Sequence, residues 1–244
     1  MANFSSFQNI LPDPNNQIGS AGQVTGTAGP GFASVSISSE QRTLRDRTNS
    51  GRILARAKTG HKWNIKIQYN PMTRADFEPV YNFLLHRRGA LNPFFVSLPQ
   101  YRTPQDSTFA SFSASDSNKL QSKAVLVSGG ATFLTMYKSG YSSANGTPQP
   151  GDLFTVDGAN SNHKKAYMVT RVETPTDYLA TSGAPSSNEV RVHFTPGLSR
   201  SVAQNDAFVF HNPLIKVIMT TDVQEYSLNT NNLYSFSLSL EEVQ

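Results

Sequence analysis

The sequence predicts a mainly β protein: a discontinuous antiparallel β-sandwich or barrel domain with one short helix, carrying an inserted small β-barrel domain. Three observations lead there. Hydrophobic residues fall to 37% and charged residues to 16%, displaced by Ser, Thr, Asn and Gln with 16 Gly and 14 Pro. That mixture suits short strands joined by turns rather than long helices. Two distant segments, 61–70 and 232–242, alternate apolar and polar residues with the period of a half-buried strand. Between them lie six short apolar runs separated by Gly, Pro, Asn or Ser, the spacing of a small barrel or sandwich.

Residues 1–31 form an extended arm with Pro12, Pro14, Pro30 and thinly spread apolar residues. Such a stretch buries too little surface to offset its own ordering entropy. It is either a disordered tail or an arm that orders on a neighbouring subunit, with Phe4, Phe7, Ile10 and Leu11 as anchors. Residues 32–38 place Val35 and Ile37 on one strand face, and 52–58 is extended again. In 61–70, Trp63, Ile65, Ile67 and Tyr69 face one way, with Lys62, Asn64, Lys66, Gln68 and Asn70 opposite. Pro71 stops that strand, and a helix follows from Thr73, which can cap with Asp76 at the capping-box position and Met72 and Phe77 as a staple. Its apolar stripe is Phe77, Val80, Tyr81, Leu84 and Leu85. Arg87 and Arg88 suit its negative end and Gly89 its stop, while Pro79 predicts a kink or a later start. Residues 93–98 return to a strand closed by Pro99.

From Thr103 a Ser-, Asp- and Asn-rich loop leads to the six runs at 123–127, 132–137, 152–156, 165–172, 190–194 and 207–210, and then to longer strands at 214–220 and 232–242. The expected division is an arm (1–31), an outer β domain (32–102 with 212–244) and an inserted barrel (103–211).

The chemistry that the sequence excludes is extensive. With no cysteine, disulfides, thiolate metal sites and cysteine nucleophiles are out. His61, His86, His163, His193 and His211 form no short metal-ligand spacing, so no metal is expected. Asp152, Asp157, Asp177 and Asp206 all lie near turns, where carboxylates ordinarily serve the turn. No nucleophile elbow or phosphate-binding glycine loop is present, and the glycines at 22–31 precede a strand rather than a helix. Neither a catalytic residue nor a cofactor is expected. No apolar run approaches the length of a membrane span, and the N-terminus lacks a secretory pattern, which points to a soluble chain made in a cytoplasm. The formal charge is only +4; its densest cluster is Arg42, Arg45, Arg47, Arg52 and Arg56 with Lys58. No nucleic-acid-binding motif accompanies it, so an acidic protein surface is as good a partner as phosphate.

One segment is more specific. Trp63-x-Ile65-x-Ile67-x-Tyr69, then 71–79 (Pro-Met-Thr-Arg-Ala-Asp-Phe-Glu-Pro), Tyr81-Asn82-Phe83-Leu84-Leu85, Arg88-Gly89, and Pro93-Phe94-Phe95 to Leu98-Pro99 resembles the core of the distal tail proteins and minor tail-tip (baseplate) proteins of long-tailed bacteriophages. A second match, Gly151-Asp152-Leu153-Phe154-Thr155-Val156 with Gly158, then 165–172 and 190–198, looks like a barrel module of phage tail-tip proteins. The two cover about half the chain. The resemblance implies a non-enzymatic virion component assembled in the host cytoplasm. It would form a ring, commonly a hexamer, that contacts tail tube and tail hub, with the insert projecting outward. The arm (Phe4, Phe7, Ile10, Leu11) and the arginines 42–56 are the expected contacts. Two rivals remain. One is a carbohydrate-binding module that takes host surface glycan through Tyr137, Tyr141, Tyr167 or Tyr178 of the insert. The other is a wall-degrading hydrolase using Asp152 or Asp206.

Overall fold

A computed structural model describes residues 6–57, 60–157, 163–179 and 182–243. The fold is mainly β, built of antiparallel sheets. The chain divides into two compact units, Met1–Val96 with Lys216–Val243, and Ser97–Ile215. In chain order the principal elements are β1 (Phe32–Glu40), β2 (Thr43–Arg47), β3 (Ile53–Ala57), β4 (Lys62–Tyr69), α1 (Arg74–Arg87), β5 (Phe94–Ser97), α2 (Ser107–Ser113), β6 (Gln121–Ser122), β7 (Phe133–Tyr137), β8 (Leu153–Asp157), β9 (Ala166–Glu173), β10 (Glu189–Thr195), β11 (Ala207–Val209), β12 (Leu214–Met219) and β13 (Ser237–Glu242).

The first unit is organised by a five-stranded sheet in the order β1-β4-β13-β12-β5. Period-two alternation sets its register. Val35 pairs Ile67 and Ile67 pairs Leu238, while Ile37, Ile65, Leu240 and Met219 make a second apolar row across four strands. A slip of one residue would turn each row out to water, so the register is strongly specified. Trp63, Ile65, Ile67 and Tyr69 are all buried, and the intervening Lys66 and Gln68 are exposed. Helix α1 meets the apolar side through its rings: Phe77 lies 5.9 Å from Phe236, and Phe83 packs edge-on against Phe94 at 5.5 Å.

Several local expectations for α1 are corrected. The helix starts at Arg74 and runs through Pro79 without a later start. Proline deprives only the Ala75 carbonyl of its usual donor, and Ala75 is exposed, so solvent can take that bond. Thr73 does occupy the cap position, but its hydroxyl donates to the Asp76 carboxylate at 2.7 Å rather than accepting a backbone amide. The buried stripe is Phe77, Val80, Phe83 and Leu84; Leu85 is exposed. The Phe83–Phe94 contact turns the helix toward residue 83 and leaves Leu85 about a third of a turn outside the stripe. The left-handed residue that ends the helix is Arg88 (φ 55°), with Gly89 (φ 64°) following it.

The second unit is a closed six-stranded barrel in the order β7-β10-β9-β8-β11-β6 and back to β7. Phe154, Tyr167, Phe194, Phe208 and Phe210 fill it, with Leu134, Met136, Val190 and Val192 around them. Two readings of this region change. The stretch after Thr103 contains α2, capped by the Asp106 carboxylate, which accepts from the Thr108 and Phe109 amides at 2.8 and 3.2 Å. The apolar run expected at 123–127 is not one strand: Gln121–Ser122 joins the barrel, while Leu126–Val127 pairs separately with Val202–Ala203. The last strand is likewise broken at Phe236, with Tyr234–Ser235 pairing Ser227–Leu228 and only β13 entering the main sheet.

Candidate assembly interface

The basic cluster of the sequence becomes one structural object. Strands β1 and β4 form a hairpin that continues past the sheet as the two-stranded ribbon β2–β3, pairing Thr43 with Ala57 through to Arg47 with Ile53. Its tip closes by the Thr48 amide on the Arg52 carbonyl (3.0 Å) and the Gly51 amide on the Thr48 carbonyl (2.8 Å), with Gly51 at φ +81°. Five residues of strand make the ribbon about 17 Å long. Leu44, Ile53 and Leu54 are 61%, 57% and 50% exposed, and every other described side chain of both strands is exposed too. Strand alternation places Arg45, Arg47 and Ile53 on one face and Leu44, Asp46, Leu54 and Arg56 on the other. Arg42 pairs with Glu40 at 2.9 Å. Among the described residues, Arg45, Arg47, Arg52 and Arg56 have no carboxylate partner. An isolated two-stranded hairpin is marginal in water, so this ribbon is held open at some cost in stability.

The arm contributes differently. Its described part lies on its own unit: the Leu11 amide donates to the Phe95 carbonyl and the Phe95 amide to the Asn9 carbonyl, both at 2.8 Å. It therefore covers the β5 edge of the sheet, which would otherwise invite pairing. Leu11 is fully buried there and Ile10 half-buried, so Leu11 has no surface to offer a neighbour. Phe7 is exposed; Phe4 lies outside the described residues. Between the arm and α1 runs a groove of about 790 Å³, lined by Phe7, Ile18, Pro79, Phe83, His86 and Arg87 among others. The Arg87 guanidinium bridges it, donating to the Gln8 carbonyl at 2.5 Å and lying 4.5 Å above the Phe83 ring.

In the barrel unit the sequence candidates are occupied with structure. Asp152 is buried and accepts from the Gln105 and Gln149 amides at 3.0 and 2.8 Å; Asp206 accepts from the Ala203 amide at 2.8 Å. Asp177 caps a short turn at Thr174, and Asp157 sits 3.5 Å from Lys119. Each carboxylate thus serves a turn or an ion pair. Tyr141 and Tyr167 are core, and Tyr137 donates to Asn205 at 2.9 Å. Tyr178 belongs to a network that sequence spacing did not reveal, in which Tyr178, His193 and Arg171 converge on Glu173, with Arg191 reaching both Tyr178 and Glu173. The hydrogen bond from Tyr178, then that from His193, holds the Glu173 carboxyl below its ordinary range. Exposed Phe133 flanks the network, 5.4 Å from His193 and 6.0 Å from the Arg191 guanidinium.

A further surface also escaped the sequence reading. Residues 222–228 leave Val223, Tyr226 and Leu228 66%, 49% and 52% exposed, beside Asp222 and Glu225. Tyr226 is fixed from behind by Phe77 at 5.1 Å and Tyr234 at 5.5 Å. No helix of the described residues is long and apolar enough to cross a membrane.

No family model matches the chain. Over 216 residues, 88% of this chain and 93% of the other protein, it is 24% identical to distal tail protein pb9 of Escherichia phage T5. That span is longer than either compact unit, so the similarity runs through both, and it supports a relation to phage tail proteins.

Proposed function

We propose that the chain is a non-enzymatic structural subunit of a bacteriophage tail. It closes into a ring, six copies as the resemblance implies, at the junction of tail tube and tail tip or baseplate. It acts by protein–protein contacts with itself, the tube and the hub. It is assembled in the host cytoplasm and resides in the virion, and the role needs no membrane and no nucleic-acid specificity. The carrying observation is the β2–β3 ribbon, whose aliphatic and arginine side chains stand exposed beyond the sheet. Strand ribbons and apolar anchors of this kind supply affinity at subunit boundaries. The arm's Phe7 adds a second exposed anchor. The test is light scattering on the purified chain followed by electron-microscope class averages. A ring with a central hole is expected; a monomer at every concentration reached would sink the reading.

A second reading, host-glycan recognition by the insert, is favoured by exposed Phe133 beside the charged Glu173 network. Aromatic faces flanked by charged hydrogen-bonding groups suit sugar rings. Binding of the full chain on a glycan array, lost in Phe133→Ala, supports it; no binding returns the barrel to scaffolding.

A further inference from the structure

The ribbon and the exposed 222–228 segment occupy opposite ends of one hairpin. The ribbon leaves β1–β4 where Glu40 pairs Lys62. At the other end, where Phe32 pairs Tyr69, Ala33, Gln68 and Tyr69 line a hollow of about 500 Å³ together with Glu225, Tyr226, Ser235 and Phe236. Eight residues of β4 separate the two ends, about 26 Å. A ribbon about 17 Å long that points away from the hollow cannot fold back to fill it.

Their chemistries match. The ribbon presents Arg45, Arg47, Arg52 and Arg56 with Leu44, Ile53 and Leu54; the 222–228 segment, whose Glu225 and Tyr226 line the hollow, forms a lip that also exposes Asp222, Val223 and Leu228. Among the described residues, both surfaces are left largely exposed by the single chain.

We propose that the ribbon of one copy seats in the lip and hollow of a second copy of this chain, arginines against Asp222 and Glu225, aliphatics against Val223, Tyr226 and Leu228. The contact is head-to-tail because the two surfaces differ and lie at opposite ends of the unit. A heterologous contact of this kind closes into a ring when its rotation permits and otherwise runs on as a filament. This deepens the assembly reading proposed above and rests on it.

The test uses charge reversal in the full chain. Arg45→Glu with Arg47→Glu, or Val223→Arg with Glu225→Arg, each raises the concentration for half-association at least tenfold by light scattering. Far-UV circular dichroism and the thermal midpoint stay at wild-type values. A chain carrying all four changes regains association to within a few-fold of wild type. If the lip pair associates like wild type while the ribbon pair does not, the ribbon seats elsewhere; this inference then fails while the assembly reading stands. Failure of the fourfold variant to recover, with both pairs impaired, also overturns it. A wild-type chain that stays monomeric removes both.

Discussion

Gly89 tests how the lip is anchored. It follows the left-handed Arg88 at φ 64°, where any L side chain costs roughly 1–2 kcal/mol. A Cβ there would fall 2.4 Å from Asp222 Oδ1 and 3.2 Å from Asp222 Cα. The carboxylate can swing, but the backbone of 222 must also give by a few tenths of an ångström. The swing removes the acceptor for the Ala90 amide, now at 3.3 Å, a loss of about 0.5–1 kcal/mol for so long a bond. Gly89→Ala is therefore expected to destabilise the first unit by about 1.5–3 kcal/mol. The chain's single tryptophan, Trp63, lies in that unit, so its fluorescence in a urea titration reports this unfolding directly. Gly51→Ala is the control: its φ is +81° but nothing lies within 4 Å, and it sits at the tip of the exposed ribbon beyond the sheet, so the Trp63 transition should hardly move. A Gly89→Ala midpoint equal to wild type would show that residue 222 has another equally good position.

Three further outcomes are expected. Phe83→Ala should cost the Trp63 transition about 3–4 kcal/mol and Leu85→Ala less than about 1, because only the first is buried against Phe94; the reverse order would restore the stripe read from the sequence. Asp106→Ala should cost about 1–3 kcal/mol, since one carboxylate takes the Thr108, Phe109 and Thr147 amides. Hydrogen exchange checks it: those three amides lose protection, and unchanged rates would refute the cap. His163 is buried beside Tyr167 and Ser199, and burial first, then Arg200, drives its pKa from 6.5 to about 4. Because the unfolded chain takes that proton more readily, the stability it supports is complete above pH 6.5 and is lost as pH falls toward 4, by about 3 kcal/mol in all. Calorimetry of wild type against His163→Gln should show the slope vanish in the variant; parallel pH curves would rule His163 out.

What the sequence makes legible follows from how strongly each local pattern is enforced. The 61–70 and 237–242 strands read cleanly because one face is buried and one wet, so every residue carries the same message. Five of the six barrel strands read nearly as well, within a residue or two, because each apolar run is bounded by turn residues; the run at 123–127 did not, since Gln121–Ser122 enters the barrel instead. Helix α2 did not, since Ser107–Ser113 offers only Phe109 and Phe112 as a stripe; the signal was Asp106 three positions before Phe109. Leu85 was misread because Phe83 and Leu85 are equally apolar, and only the position of Phe94 chooses between them. The arginines 42–56 were visible as a cluster, but their projection on a ribbon depends on β1 and β4 outlasting the sheet. The lip was invisible. Val223, Tyr226 and Leu228 show no period, and their exposure is a tertiary property.

The distribution of apolar surface also constrains how assembly can work. Both rows of the main sheet, the arm's Leu11 and the aromatics of the barrel core are spent inside the chain, while the sheet's other side carries Ser36, Lys66, Gln68, Ser237 and Ser239. Surface ion pairs in water contribute about 0–1 kcal/mol each, so arginines alone would give a weak and salt-sensitive junction. Affinity on the proposed reading must come from the few exposed aliphatics on the ribbon and lip, with the charges setting register and excluding wrong partners. Closure of a ring strengthens such modest junctions, because the last contact forms within one assembly and is set by effective rather than bulk concentration. A subunit built this way stays separate at low concentration and commits only when the ring can close. That behaviour suits a ribbon left exposed, rather than folded away, in the single chain.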